Sequence, residues 1–280
     1  TGGTCPNFTI FSITILAEED PAFTYAAASF CQGDADPLPT ITGTIGGTFT
    51  APATVSINAS TGEVDLSAST VGAGYVITYT TPGTCSNATT FNIDIVAEDD
   101  PAFTYAAAAF CQDDTDPSPT ITGTASGTFS SAPAGLSMVA GTGVIDLSAS
   151  TAAITYTITY TTGGTCPNST TFVVTINAED DPAFTYAAAS FCQADADPSP
   201  TITGTTGGTF TAPAGVSINA STGVIDLSAS TVTNGYVITY TTSGSCSNAT
   251  TFTVDIVVED DPAFTYPAAS YCQDDADPTP

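Results

Sequence analysis

Carboxylates are the only charged side chains in this sequence. The 280 residues include 28 Asp and Glu and no Lys, Arg or His, so the formal net charge at pH 7 is -28. Without cationic side chains the usual Lys and Arg contacts to nucleic acids are excluded, as is docking on an anionic membrane surface. Without His or Lys there is no imidazole base, Schiff-base amine or Ser-His-Asp triad. A carboxylate-pair glycosidase needs a cleft, whereas these acids recur in surface turns, so we expect no enzyme.

The acids cluster at two recurrent places, and clustered carboxylates are the oxygen ligands that Ca²⁺ prefers. One cluster follows the Phe/Tyr-Cys-Gln motif, and the other directly precedes Pro-Ala-Phe-Thr-Tyr. A calcium site stiffening the linkers is one interpretation, and solvated, mutually repelling turn acids are the other. Calcium is therefore the one cofactor that the sequence suggests, and none is required. Its candidate ligands are Glu98, Asp99, Asp100, Asp113, Asp114, Asp116, Glu179, Asp180 and Asp181.

Eight cysteines, at 5, 31, 85, 111, 166, 192, 246 and 272, recur regularly along the chain. With no His and no Cys-x-x-Cys motif, an even count at regular spacing predicts disulfides and an oxidising, extracellular setting. The preferred pairing lies within repeats, and Cys5 and Cys272 would then pair outside the sequence. Two alternatives stay open: pairing across a boundary (Cys5 with Cys31, Cys85 with Cys111) and bridging separate repeats, such as Cys31 with Cys166. The preferred pairs are Cys31 with Cys85, Cys111 with Cys166, and Cys192 with Cys246.

Asn-x-Ser/Thr sequons occur two residues after the second cysteine of each repeat. They are candidate N-glycosylation sites, although Asn is also an ordinary turn former. The four candidates are Asn7, Asn87, Asn168 and Asn248.

The elements that must position these residues belong to a tandem repeat. Asp-Pro-Ala-Phe-Thr-Tyr recurs with its proline at positions 21, 101, 182 and 262, which gives spacings of 80, 81 and 80 residues. We therefore predict three full repeats at 21–100, 101–181 and 182–261. Residues 1–20 match the end of a preceding repeat and 262–280 the beginning of a following one, so we expect a longer array.

Within one repeat the apolar residues alternate with period two, which is typical of strands. Tyr75, Ile77 and Tyr79 share one strand face, and Phe91, Ile93 and Ile95 share another. About seven short strands in roughly 80 residues indicate an immunoglobulin-like β-sandwich. The all-β fold class therefore follows from the pattern, and the alanine run at 26–28 is too short, and too close to proline and β-branched residues, for a helix.

The repeat motifs resemble those of a known family. Asp-Pro-Ala-Phe-Thr-Tyr, Phe/Tyr-Cys-Gln and Ser-Ile-Asn-Ala-Ser-Thr-Gly-Val-Ile-Asp-Leu are similar to the tandem Ig-like, cadherin-like repeats of giant cell-surface adhesins of the Bacteroidota, including the gliding-motility adhesins of flavobacteria. The resemblance covers the whole chain. It implies export by type IX secretion, display outside the outer membrane, and a role in surface adhesion or gliding motility.

These observations predict a structural stalk or filament segment of a secreted adhesin. The expected partners are neighbouring repeats, other copies in a filament or bundle, and an external surface or glycan, without nucleic acid or membrane insertion. The alternative is a glycan-binding repeat array, which needs exposed aromatic rings. The absence of Trp and the alternating, core-facing Tyr and Phe favour the stalk.

Overall fold

The computed structural model describes residues 9–260 and 263–279. Their regular secondary structure consists of 24 strands in small sandwich-like sheets, and no described residue lies in a helix. The predicted all-β class with tandem Ig-like repeats is therefore confirmed. Within the described ranges there is accordingly no helix of the length and hydropathy needed to cross a bilayer.

The chain divides into two compact units. Unit 1 is Thr1–Ala106, Asp116–Asp146 and Tyr156–Val173, and unit 2 is Ala107–Thr115, Leu147–Thr155 and Val174–Pro280. Unit 1 contains the whole first repeat and unit 2 the whole third repeat, while the middle repeat is divided between them. The predicted repeat boundaries stay a prediction.

The first repeat has eight strands, one more than the sequence predicts. They are β1 (Phe23–Thr24), β2 (Ser29–Cys31), β3 (Thr40–Ile41), β4 (Thr48–Thr50), β5 (Ser56–Ile57), β6 (Val64–Asp65), β7 (Gly72–Thr80) and β8 (Ala88–Val96). The extra strand is β2, which carries the first cysteine.

The same eight strands recur in the other two repeats. In the second they are β9 (Phe103–Thr104), β10 (Ala109–Cys111), β11 (Thr120–Ile121), β12 (Thr128–Ala132), β13 (Ser137–Met138), β14 (Ile145–Asp146), β15 (Ile154–Thr161) and β16 (Ser169–Asn177). In the third they are β17 (Phe184–Thr185), β18 (Ser190–Cys192), β19 (Thr201–Ile202), β20 (Thr209–Thr211), β21 (Ser217–Ile218), β22 (Ile225–Asp226), β23 (Thr233–Thr241) and β24 (Ala249–Val257).

The long hairpin of β7 and β8 organises the first repeat. Together with the edge strands it forms a four-stranded sheet in the order β2-β8-β7-β4, while β1 pairs with β3 and β5 with β6. β2 runs parallel to β8, with Cys31 opposite Val96, and β4 runs antiparallel to β7. The third repeat has the same order, β18-β24-β23-β20. The parallel edge strand places the first cysteine at the end of the last strand.

The core of each repeat forms where alternate side chains of the long strands meet β1 and β4. In unit 1, Ile77, Tyr79 and Ile93 are fully buried, and the Phe23 ring stands edge-on to Phe49 at a centroid distance of 5.4 Å. The equivalent pair in unit 2, Phe184 and Phe210, lies at 5.3 Å with the same edge-on geometry. The predicted inward faces are therefore the observed ones.

A buried tyrosine closes each core. The Tyr25 hydroxyl donates to the main-chain oxygen of Gly62, and Tyr105 and Tyr186 donate in the same way to Gly143 and Gly223. Burial raises the pKa of Tyr105 to about 12 and also raises that of Tyr25. These hydroxyls therefore stay protonated donors at neutral pH.

Candidate functional site: the junction between repeats

Two disulfides link successive repeats. Cys31 bonds to Cys166 within unit 1, and Cys111 bonds to Cys246 within unit 2, with Cα–Cα distances of 5.5 and 5.4 Å. Each bridge spans 135 residues of sequence. It joins the cysteine at the end of the short parallel strand of one repeat to the cysteine in the last hairpin turn of the next. We call the neighbourhoods of these two bridges the first and second junction.

The preferred pairing within repeats is wrong. Cys31 does not pair with Cys85, Cys111 does not pair with Cys166, and Cys192 does not pair with Cys246. The cross-boundary bond between Cys85 and Cys111 does not form either, and the bridge between separate repeats is the alternative that the structure contains. Cys31 is bonded to Cys166 and therefore does not pair with Cys5 either; Cys5 itself lies outside the described residues.

The parallel register explains the correction. Cys31 lies opposite Val96, at the end of β8, whereas Cys85 lies in the turn before β8 begins. At about 3.3 Å per residue the nine-residue strand separates these positions by roughly 25–30 Å. A disulfide needs Cα atoms within about 7 Å. The geometry of one repeat therefore keeps its two cysteines apart.

An aspartate three residues after the first cysteine holds the loop that presents it. The N–H of Cys31 donates to Asp34 at 2.8 Å, and the N–H of Asp34 donates back to the Cys31 oxygen at 3.0 Å. In unit 2 the N–H of Cys111 donates to Asp114 at 2.7 Å. The Asp114 carboxylate, which is one of the candidate calcium ligands, thus accepts a backbone N–H group and orients Cys111.

The glutamate of the boundary triplet contacts the same loop. Oε1 of Glu98 accepts the N–H of Gly33 at 2.8 Å, and Oε1 of Glu179 accepts the N–H of Asp113 at 3.2 Å. In each case about 65 residues separate donor and acceptor, so the bond ties the chain that leaves a repeat to that repeat's first loop.

The second boundary residue binds the turn of the following repeat. The N–H of Asp99 donates to the Cys166 oxygen at 2.9 Å, and that of Asp180 donates to the Cys246 oxygen at 2.9 Å. The Asp180 carboxylate in turn accepts the N–H of Gly244 at 2.9 Å. Two hydrogen bonds therefore flank the second-junction disulfide on the side of the following repeat.

The third boundary residue anchors the start of the following repeat. The Asp100 carboxylate accepts the N–H of Ala102 at 3.0 Å, and the Asp100 main-chain oxygen accepts the N–H of Thr124 at 2.7 Å. A Cβ on Gly123 would lie 2.1 Å from that oxygen, so only glycine fits there. Asp181 makes the same bonds to Ala183 and Thr205.

Six of the nine candidate calcium ligands thus accept separate backbone N–H groups: Glu98, Asp100, Asp114, Glu179, Asp180 and Asp181. Asp116 also has an interaction. Among residues 9–260 and 263–279, no three carboxylates have ligand atoms within 4.8 Å of one another. The two groups of three potential ligands there are Cys111, Glu179 and Cys246, whose sulfurs form a disulfide, and Cys192, Asp195 and Glu259. Ca²⁺ takes six to eight oxygens, so calcium binding stays a prediction that this geometry does not favour.

In the part of the junctions that the structure describes, two carboxylate oxygens are buried without a hydrogen-bond partner, Oδ2 of Asp99 and Oε2 of Glu179. Desolvation, with a contribution from the nearby charge of Asp113, raises the pKa of Glu179. Away from the junctions, hydrogen bonds from Ala68 and Ser67 hold the pKa of Asp65 below its ordinary value. Hydrogen bonds from Ser228 and Ala229 lower the pKa of Asp226 in the same way. The contribution of Glu179 to stability should therefore change with pH in the direction opposite to those of Asp65 and Asp226.

The sequon asparagines form the turn that carries the second cysteine. The N–H of Asn87 donates to the Thr81 hydroxyl at 2.8 Å, and its side-chain oxygen accepts the N–H of Ala88 at 2.9 Å. Asn168 and Asn248 make the same contacts and are exposed. Asn7 lies outside the described residues. Glycosylation stays a prediction, and the turn-forming role is the one seen.

Cadherin ectodomains are among the solved structures similar to this chain. Mouse cadherin-23 EC22-24 is 12% identical, covers 86% of this chain and all of its own, and has a TM-score of 0.31. Human CDH23 EC21-23 is 11% identical with the same coverages and a TM-score of 0.34. Protocadherin gamma B2 domains 3–6 are 13% identical, with coverages of 90% and 77% and a TM-score of 0.31. Likenesses at this level carry no information on ligands or partners.

No protein-family model matches the chain, and no curated protein matches it.

Proposed function

We propose that the chain is a mechanical segment of an extracellular, adhesion-type repeat array, a stalk or filament that holds an adhesive end away from a cell. The observation that carries this proposal is the stagger of the disulfides, each of which joins one repeat to the next. Display on the bacterial cell surface, type IX export and gliding motility belong to the same proposal and rest on the sequence resemblance alone.

The stagger makes the two covalent loops overlap. The loop closed by Cys31 and Cys166 contains Cys111, and the loop closed by Cys111 and Cys246 contains Cys166. Tension applied at the chain ends therefore cannot extend the whole polypeptide, even after every strand has unfolded. A segment built in this way limits its own extension under load, which is what a spacer requires.

The same disulfides support an extracellular location for the protein. Disulfides form and persist in oxidising compartments, and small sandwich repeats with modest cores need such links. The first and the third repeat each have a core of ten buried apolar side chains. An extracellular location is therefore part of the proposal.

A non-catalytic role fits the junction carboxylates Glu98, Asp100 and Asp180, because each accepts a backbone N–H group. The glycan-binding alternative has no comparable support. Among the described residues from 21 to 260, none of the strongly exposed large apolar side chains is aromatic. An aromatic platform for sugar rings is thus not presented by these repeats.

Single-molecule stretching tests the proposal. The chain is held by handles at both ends, with Cys5, Cys85, Cys192 and Cys272 replaced by Ser, and compared with and without a reductant. In the oxidised chain the shortest covalent route runs from residue 1 to 31, crosses to 166, returns to 111, crosses to 246 and continues to 280.

At about 3.4 Å per residue this route is roughly 400 Å long, against roughly 950 Å for the reduced chain. We expect the fully stretched oxidised chain to reach less than half the length of the reduced one. Equal lengths in both states would overturn the proposal. The same chain with Cys31 and Cys166 also replaced by Ser is the control, and it should reach an intermediate length.

A further inference from the structure

The chain contains a single Asn-Gly dipeptide, Asn234 followed by Gly235. It lies within β23 between Thr233 and Tyr236, where the register with β24 shifts. Both residues are exposed, and Gly235 has a φ of 81°. A Cβ added to Gly235 would meet no atom within 4 Å. The dipeptide therefore occupies an open bulge at the surface of the third repeat.

An asparagine that precedes glycine can react with its own main chain, because glycine has no Cβ to obstruct the approach of its nitrogen. The glycine nitrogen forms a bond to Cγ of the asparagine, and the bond from Cγ to Nδ2 breaks. Nδ2 leaves as ammonia and takes the proton of the glycine N–H, which leaves a cyclic imide. Water then adds to one of the two imide carbonyls and opens the ring to aspartate or isoaspartate. Water is the only co-reactant, and nothing is oxidised or reduced.

In the folded protein a carboxylate binds the N–H that this reaction must release. The N–H of Gly235 donates to Oδ1 of Asp255 at 2.7 Å. Hydrogen bonds to an ionised acceptor are shorter and stronger than those between neutral groups. Asp255 lies on β24 between Val254 and Ile256, which pair with the residues on either side of the bulge. The sheet therefore holds the nitrogen of Gly235 away from Cγ of Asn234 until the bulge opens.

The first repeat has the same bulge without the asparagine. The N–H of Gly74 donates to Oδ1 of Asp94 at 2.7 Å, and Gly74 has a φ of 69°. The residue before it is Ala73, which has no side-chain amide. The bond from glycine to aspartate thus belongs to the fold of the bulge, and the reactive side chain is particular to the third repeat.

The other asparagines in turns have amides that are already engaged. The side-chain oxygen of Asn219 accepts the N–H groups of Ser221 and Thr222, both at 3.0 Å. Three further asparagines accept the N–H of the next residue, which in each case carries a Cβ; they are Asn87, Asn168 and Asn248. Asn234 therefore differs from them both in the residue that follows it and in its place on an open bulge.

We propose that Asn234 is a site of spontaneous deamidation, that its hydrogen-bonded bulge keeps the reaction slow, and that opening of the bulge makes it fast. Either product adds a carboxylate next to the N–H that Asp255 binds, in a chain with no cationic side chain to offset it. Isoaspartate also adds a carbon to the main chain, which displaces that N–H from Asp255. The reaction therefore marks molecules whose bulge has opened and hinders its closing.

The experiment incubates the oxidised 280-residue chain at mildly alkaline pH and follows Asn234 by mass spectrometry of peptides from an aromatic-directed protease. Fragmentation locates the replacement of NH by O and distinguishes aspartate from isoaspartate. We expect slow conversion in the folded parent and conversion several-fold faster in Asp255→Ala, which circular dichroism shows to be folded or not. Asp255→Asn keeps an oxygen acceptor and should stay close to the parent. Asp94→Ala breaks the equivalent bond of the first repeat and should not change the rate at Asn234.

The chain unfolded in urea gives the rate without any bulge, and it keeps the test decisive if Asp255→Ala does not fold. We expect conversion there to be several-fold faster than in the folded parent. No conversion of Asn234 in the unfolded chain would overturn the site itself. Equal rates in the folded and the unfolded parent, or a folded Asp255→Ala no faster than the parent, would overturn the restraint by the bulge.

Discussion

Cys31 lies opposite Val96 in the parallel ladder of β2 and β8, and this register determines which cysteine it can reach. Val96 is the last residue of β8, so Cys31 faces the point where the chain passes into the next repeat. Cys85 is at the other end of the same strand. The bond to Cys166 is therefore a consequence of strand direction, and it links two successive repeats covalently.

Removing one bridge should weaken the linked repeats. The double variant Cys31→Ser, Cys166→Ser opens a loop of 135 residues, which the chain-entropy description credits with about 5 kcal/mol. We expect a lower unfolding midpoint in guanidinium chloride, followed by circular dichroism. Cys85→Ser removes a cysteine that is not in a disulfide and is the control. If the double variant and the control have the same unfolding midpoint, the bridge does not stabilise the fold.

The boundary hydrogen bonds can be tested at Gly244. A Cβ at this position would lie 2.1 Å from Oδ2 of Asp180, which accepts the Gly244 N–H. Gly244→Ala should therefore displace this carboxylate and break its hydrogen bond, which lowers the free energy of unfolding by about 0.5–1.5 kcal/mol. Gly141→Ala, where the added Cβ meets nothing within 4 Å, should change it by less than about 0.5 kcal/mol. Equal effects of the two substitutions would show that the contact between Gly244 and Asp180 does not contribute to stability.

The buried tyrosine bond should contribute measurably to each core. Tyr25→Phe removes the donor to the Gly62 oxygen in a position where the ring is 5% exposed. Leaving a buried carbonyl without its donor costs about 1–2 kcal/mol. Thermal unfolding of this variant should begin at a lower temperature, whereas Tyr266→Phe, at an exposed ring, should behave as the parent protein. A parent-like Tyr25→Phe would show that the bond is dispensable.

The pKa shifts predict opposite pH responses for two carboxylates. The pKa of Asp226 is lowered in the folded protein, so its contribution to stability is present above the unfolded pKa and is lost as pH falls through the folded one. Asp226→Asn should therefore be less stable than the parent at pH 7, and the difference in melting temperature should shrink as the solution is acidified.

Glu179 has a pKa shift opposite to that of Asp226 and should show the opposite pH dependence. Its pKa is raised by desolvation, so its contribution is present below the unfolded pKa and is lost as pH rises through the folded one. Glu179→Gln should gain stability relative to the parent between acidic and neutral pH. Differences that do not change with pH, in either variant, would contradict the assigned environments.

Calcium should not act as a specific ligand of the junctions. Their carboxylates accept backbone N–H groups, and no three of the described ones converge. Millimolar CaCl₂ should shift the melting temperature no more than MgCl₂ at the same concentration, since both screen a chain of net charge -28. A rise specific to calcium would restore the cation-binding interpretation of Glu98, Asp99 and Asp100.

Period-two alternation was sufficient to predict the strands and their buried faces, as at Ile77 and Tyr79. The parallel strand β2 was not predictable in this way, because three residues show no period and their pairing partner lies more than 60 residues away. The disulfide partners depend on that strand and so could not be ranked correctly from spacing. A usable signal was present in the glycine two residues before each second cysteine, at 83, 164 and 244, which marks a close approach to a boundary acid.

Disulfide mapping tests the central claim most directly. The oxidised protein, with its free thiols blocked, is cleaved at Asp by a protease and its linked peptides are identified by mass spectrometry before and after reduction. The staggered junction predicts peptides that join Cys31 to Cys166 and Cys111 to Cys246. Peptides that join Cys31 to Cys85 and Cys111 to Cys166 would contradict it and return each bridge to a single repeat.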